Sequence, residues 1–205
     1  MSKIVVIDYG LGNIRSVRGA LIQCGREASI SGDINEMRAA DALVLPGVGA
    51  FGDGMSQLRA RNLVEPLTDL VMNEKKPILG ICLGAQLMAH TGSEFGDHEG
   101  LGWIEADVRR IDADNLPLPH VGWNDIELTN PSLLYKGMDH TPLVYFVHTY
   151  HIDCREESLV TSRSHYGHNL VASYEIENIY GTQFHPEKSQ GTGLRLISNF
   201  LNWRP

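Results

Sequence analysis

At 205 residues, with 42% hydrophobic and 20% charged side chains, the chain has the size of one ordinary globular domain, 1–205, and enough apolar residues to bury a full core. Its 17 Lys and Arg against 25 Asp and Glu give a net charge of -8, so no basic field exists to hold a nucleic-acid backbone. Three cysteines, Cys24, Cys82 and Cys154, are odd in number and widely spaced, which argues against a disulfide framework and a zinc site and leaves one free to be a nucleophile. The apolar run Ile4 to Ile7 is broken by Asp8, too short for a signal peptide or a membrane span, and a soluble, cytoplasmic protein is expected.

Residues 3–8 form a short β-branched run that enters the turn Gly10-Leu11-Gly12, and 13–24 then carry helical spacing through Ile14, Val17, Leu21 and Ile22. A second strand is expected over 41–45, ending at Pro46 and a glycine cluster. A long amphipathic helix follows over 56–75, with a break or kink at Pro66. The wholly apolar run 78–82 leads into helix-like 85–90. Short apolar strands alternating with helices imply a buried parallel sheet covered on both faces. The second half changes texture: 101–111, 121–128, 143–148, 159–163, 169–174 and 179–184 read as strands, and 191–203 as a helix. The expected fold is therefore α/β, a mostly parallel mixed sheet of flavodoxin-like type flanked by helices, with an antiparallel extension and no linker.

The strongest local signal is Gly80-Ile81-Cys82-Leu83-Gly84, between an apolar strand and a helix. So sharp a turn forces its central residue into a strained conformation, and glycines two positions away on each side remove colliding side chains. The thiol then lies at a helix N-terminus, which favours thiolate, and the next N–H offers a donor to a developing oxyanion. The competing reading is a buried structural cysteine between packing glycines.

Such a nucleophile needs a base and a group to orient it. Among nine histidines, His90, His140, His165 and His168 read as surface or loop residues. His185 ends the run 179–184 and is followed by Pro186 and Glu187; residues two apart in extended chain share a side, so the carboxylate can fix the ring tautomer. Without the elbow, the same residues would read as a surface turn with an incidental ion pair.

Gly47-Val48-Gly49-Ala50-Phe51-Gly52 matches the dinucleotide fingerprint by spacing. That fingerprint also needs an acidic residue at the end of the next strand, and here that strand ends in Cys82. Pro46-Gly47-Val48-Gly49 suits better a flexible loop beside the elbow, whose N–H groups can face an oxyanion.

Cys82 within GICLGAQ, His185 and Glu187 within HPEKSQ, and the PGVG loop together resemble the class I, or triad, glutamine amidotransferases. The segments DYGLGN (8–13), PGVGAFGDGM (46–55), GWN (122–124), YFVHTYH (145–151) and HPEKSQ (185–190) are similar to the branch that supplies imidazole glycerol phosphate synthase in histidine biosynthesis. The resemblance implies a glutaminase without cofactor or metal, in which Cys82 attacks the glutamine amide, with Leu83 and the Gly47-Val48 loop at the oxyanion. It implies that Gln86, Gly49, Thr149 and Tyr150 line the substrate pocket, although by spacing alone Gln86 could equally be an exposed helix residue. It further implies a heterodimer with a (β/α)8-barrel synthase subunit that receives the ammonia, docked on a face including Asn13, Tyr145 and Lys188. Trp123 joins that face or is ordinary core or surface. A flip of the Gly47-Val48 peptide on activation is the expected switch. The alternatives are a subunit serving pyridoxal phosphate, anthranilate or aminodeoxychorismate synthesis, a cysteine peptidase or chaperone-like relative sharing the elbow, and a non-enzymatic nucleotide-binding module on Gly47 to Gly52.

Overall fold

The computed structural model describes residues 3–138 and 141–202; His140 and the last residue of the helix expected over 191–203 lie outside this range. In chain order the elements begin β1 (Lys3–Ile7), α1 (Ile14–Gln23), β2 (Glu27–Ser31), α2 (Ile34–Arg38), β3 (Ala42–Leu45), α3 (Phe51–Ala60), α4 (Val64–Thr68), β4 (Ile78–Ile81) and α5 (Leu83–Gln86). They continue with β5 (Thr91–Gly92), β6 (His98–Glu99), β7 (Ala106–Arg110), β8 (His120–Asp125), β9 (Glu127–Leu128), β10 (Leu143–His148) and β11 (Tyr150–Cys154). The chain closes with β12 (Val160–Tyr166), β13 (His168–Ile176), β14 (Ile179–Thr182) and α6 (Gln190–Phe200).

Among the described residues the main sheet runs β2-β1-β3-β4-β14-β13-β12-β9. Its first five strands pair in parallel and the last three antiparallel. The period of two along each central strand divides the core. Val5, Ile7, Leu43, Leu45 and Ile78 face α2, α3 and α4 through Met37, Phe51, Met55, Leu58 and Leu67. Ile4, Val6, Val44, Leu79 and Ile81 face α1 and α6 through Val17, Leu21, Leu196, Ile197 and Phe200. Each fully buried side chain of this kind contributes about 1.5–3 kcal/mol, so strands buried on both faces are held without polar alternation.

Several elements differ from the sequence-based expectation. The helix expected over 56–75 starts at Phe51 and stops at Ala60, and a turn through Asn62 (φ 54°) precedes α4. Pro66 is the third residue of α4, where its missing N–H would lack a partner in any case, so it starts a helix and kinks none. A single π-turn, Asp69–Asn73, completes the segment. The antiparallel extension holds only β13, β12 and β9; β8 with β10, and β11-β7-β5-β6, form separate small sheets that pack beside the carboxyl ends of the parallel strands. The helix expected over 85–90 is one turn, Leu83–Gln86.

Candidate active site

The end of β4 carries Cys82 into α5 with φ 52° and ψ -111°, a conformation that costs a non-glycine residue on the order of 1–3 kcal/mol. The reason it is tolerated lies in its neighbours. A Cβ on Gly84 would come within 1.8 Å of the Leu45 carbonyl oxygen, and one on Gly80 within 2.7 Å of Ala85 Cα, so β3, β4 and α5 meet more closely than any side chain permits. The Cys82 backbone N–H donates to Thr182 of β14 at 2.8 Å, and its carbonyl accepts from Gln86 at 3.0 Å. Cys82 is buried, 7% exposed, yet lines a cleft of about 540 Å³.

His185 and Glu187 meet in that cleft's wall, though by a different geometry than strand alternation. The chain leaves β14 after Thr182, His185 is extended (φ -100°, ψ 95°), and Pro186–Lys188 forms a 3-10 turn that brings Glu187 back under the ring. His185 Nδ1 lies 2.8 Å from Glu187 Oε1, both side chains being almost wholly buried. The His185 N–H donates to the Tyr145 carbonyl at 2.9 Å. Ser189 Oγ donates to the His185 carbonyl at 2.7 Å and accepts from the Tyr145 N–H at 3.0 Å, which pins the turn to β10.

A carboxylate only accepts, so Nδ1 keeps a proton and Nε2 is the nitrogen left to exchange one with Cys82. Nε2 is buried and has no hydrogen-bond partner in ordinary geometry. Burial opposes the charged ring, but the Cys82 sulfur and the Glu187 carboxylate more than offset it and hold the His185 pKa up at about 9. Cys82 and His185 line the same cleft, and Nε2 is the ring nitrogen that Glu187 does not hold.

The loop Pro46 to Ala50 closes the other side. Gly47 is wedged in place: a Cβ there would stand 2.7 Å from Gly84 N, Leu83 Cβ and Tyr9 Oη. Gly49 (φ 111°) has open space around its Cα, so glycine is required there by its backbone conformation and at Gly47 by close packing. Val48 is 41% exposed and lines the cleft with Gly49, Leu83, Gln86, Thr149 and Tyr150; Gly47 lies behind it. Gln86 is buried, 5% exposed, which removes the exposed-helix reading. Both of its N–H donors are used, on the Tyr150 carbonyl at 2.9 Å and on Gln183 Oε1 at 3.0 Å.

Sequence reasoning missed several residues of this site. Glu94, Phe95, Pro119, Val147 and His148 also line the cleft, and Gln183 stands behind it. Glu94 decides one open question. Its Oε2 accepts from the Phe51 N–H at 3.0 Å, filling the N-terminus of α3 with a carboxylate where a dinucleotide's phosphates would bind. The nucleotide-binding reading of Gly47 to Gly52 thus fails on charge. Among the described residues, Asp112, Asp114 and His168 bring two carboxylates and an imidazole together, but they are exposed and take no part in the cleft.

Of the residues expected at a docking face, the structure gathers three. Trp123 of β8, 43% exposed, meets Tyr145 of β10 edge-on at 6.0 Å between ring centroids, and Lys188 Nζ lies 5.7 Å above the Tyr145 ring. Val121 and Leu143 extend the same ribbon as exposed apolar side chains. Asn13 stands at the start of α1, half-buried, its side chain making no cap hydrogen bond.

The family model described as "Glutamine amidotransferase class-I" matches residues 5–203. The chain is 46% identical to imidazole glycerol phosphate synthase subunit HisH 2 of Nitrobacter winogradskyi, covering 100% of each chain. It is 44% identical to subunit HisH 1 of that synthase from Campylobacter jejuni, covering 97% of this chain and 98% of the relative. Among solved structures, PurLQS from Thermotoga maritima superposes with a TM-score of 0.77 at 19% identity, covering 98% of this chain and 99% of that one, a likeness of fold alone. An elbow cysteine beside a carboxylate-held histidine, within a family match over nearly the whole length, places the chain in the class-I glutamine amidotransferases, enzymes that hydrolyse glutamine.

Proposed function

We propose that this chain, folded as one amidotransferase domain, is the glutaminase subunit of an imidazole glycerol phosphate synthase, and that Cys82, His185 and Glu187 are its triad. The observation that carries the site is the division of labour on one ring: His185 Nδ1 is spent on Glu187, and buried Nε2 is left without a partner in the cleft that holds Cys82. The pathway rests on the relatives named as subunits of that synthase.

The cleft holds glutamine with its side-chain amide carbon over Cys82. The thiolate forms the C–S bond, and the carbonyl electron pair moves onto oxygen, facing the Leu83 N–H and the Gly47-Val48 loop. His185 passes its Nε2 proton to the amide nitrogen, the C–N bond breaks and ammonia leaves. Water then adds to the thioester, His185 takes its proton, and the C–S bond breaks to give glutamate and the thiolate. Gln86 has no donor to spare, so it meets substrate through its carbonyl oxygen. Gly49, Thr149 and Tyr150 complete the pocket. Ammonia is protonated and non-nucleophilic in neutral water, so its use requires a closed route, here into a (β/α)8-barrel synthase subunit docked on Trp123, Tyr145, Lys188 and Asn13. The three cysteines are free, which suits the reducing cytoplasm.

A glutamine-analogue electrophile tests the site: it alkylates Cys82, and glutamine protects against it. Equal labelling of Cys24, Cys82 and Cys154 would remove the reading. The synthase that co-purifies separates this pathway from pyridoxal phosphate, anthranilate and aminodeoxychorismate synthesis.

A further inference from the structure

Gln183 belongs to none of the groups named in the mechanism, yet it is 1% exposed and its Nε2 lies 3.8 Å from Cys82 Sγ. Which end of a carboxamide faces a sulfur is ordinarily a matter of assignment. Here the surroundings settle it. The Tyr150 carbonyl can only accept, so Gln86 must present its NH2 group there at 2.9 Å. The second hydrogen of that group points to Gln183 at 3.0 Å, so Gln183 must present its oxygen to Gln86. Its own NH2 is left facing the sulfur. His148 supports the same anchor, since its Nδ1 lies 2.9 Å from the Tyr150 carbonyl.

The other neighbour of the sulfur acts in the opposite sense. The Val147 carbonyl oxygen lies 4.0 Å from Sγ, where it can accept from a thiol but repels a thiolate. Helix α5 is a single turn, so the dipole at its start is smaller than that of a full helix. A buried thiolate at this elbow therefore gains from side-chain donors, and Gln183 is an uncharged one within reach.

We propose that Gln183 is a positioning residue for the nucleophile. Its N–H, held in donor orientation by Gln86 and the Tyr150 carbonyl, stabilises the Cys82 thiolate and ties it to the substrate-binding wall. This rests on the reading of Cys82 as the nucleophile.

Alkylation of Cys82 by iodoacetamide, followed peptide by peptide across pH on the full chain, tests it without requiring glutamine. Gln183→Met keeps the length and removes the donor, and its alkylation midpoint moves to higher pH by about one unit. Gln183→Glu still accepts from Gln86 but turns an oxygen toward the sulfur, and its midpoint moves further. In Gln183→Met, kcat for glutamine falls about tenfold while KM changes little, as expected when a hydrogen bond to a charged group is lost. Midpoints equal to the parent's in variants that melt normally would make Gln183 a packing residue and overturn the proposal. If Gln183→Glu does not fold, Gln183→Met decides. A parent chain in which Cys82 is never alkylated would instead overturn the nucleophile reading beneath it.

Discussion

His185 Nδ1 and Glu187 Oε1 stand 2.8 Å apart with both side chains almost wholly out of water, so the carboxylate fixes the tautomer and offsets the ring's burial. Glu187→Gln keeps the shape but offers the ring a neutral acceptor. We expect glutamine kcat to fall by about 10⁴-fold, as when a triad's orienting carboxylate becomes an amide. The alkaline limit of kcat/KM, set in the parent by the His185 pKa of about 9, moves to lower pH in the variant.

The same shift has a sign in stability. A histidine whose folded pKa is raised from 6.5 to about 9 contributes stability that is fully present below pH 6.5 and is lost as pH rises through about 9. Melting temperature should therefore decline between those values in the parent, and less in His185→Gln.

The buried pair His120 and His148 behaves in the opposite way. The Tyr150 carbonyl accepts from His148 Nδ1, His148 Nε2 accepts from His120 Nδ1 at 3.1 Å, and His120 Nε2 accepts from Asn124 Nδ2 at 3.2 Å, so both rings are neutral. Burial is the main cause that brings His120 down to about 4 and His148 to about 3. The unfolded chain takes up protons near pH 6.5 and the native one does not, so stability falls as pH drops from 6.5 toward 4. Thermal melts from pH 7 to 4 read this directly; a flat profile would show that the pair accepts a proton in the folded state.

At the elbow, Gly84→Ala places a methyl against the Leu45 carbonyl, 1.8 Å from it before relaxation. Backbone must move, and overpacking of this kind costs about 1–3 kcal/mol or more. For a chain of this length each kcal/mol lowers Tm by about 2–4 °C, so calorimetry should show a fall of several degrees. Gly49→Ala meets nothing within 4 Å and, at φ 111°, pays only in backbone strain.

For the docking face, Trp123→Ala removes an exposed ring that already packs on Tyr145. An aromatic at the centre of an interface contributes about 2 kcal/mol, some thirtyfold in Kd. Titration of a candidate barrel synthase against parent and variant measures the loss; equal affinities would remove the proposal that the partner docks on this face.

How far these features were legible in the sequence follows from burial. The strands β1, β3 and β4 announce themselves because they are apolar on both faces. β2, with sequence EASIS, lies at the sheet edge, and its alternation rests on Ala28 and Ile30 alone, too few apolar residues to stand out. The early start of α3 was hidden by Gly52 and Gly54, poor helix formers that are required where His98 and Leu87 pack close. Cys82 and His185 could be named from motif and spacing, and Gln86 only from the resemblance. Gln183 follows directly on β14, but an amide carries no signal until its partners are seen. Glu94 and Phe95 come from a loop whose route no periodicity records.

The central claim is that this chain makes ammonia at Cys82 and a partner consumes it. The direct measurement mixes the chain with a candidate barrel synthase and its nucleotide substrate, then compares glutamine with ammonium as nitrogen source. The parent complex should form product from both, and Cys82→Ala from ammonium alone. Glutamine-dependent product from Cys82→Ala would contradict the assignment of the nucleophile, and loss of both activities would contradict the division of labour between the subunits.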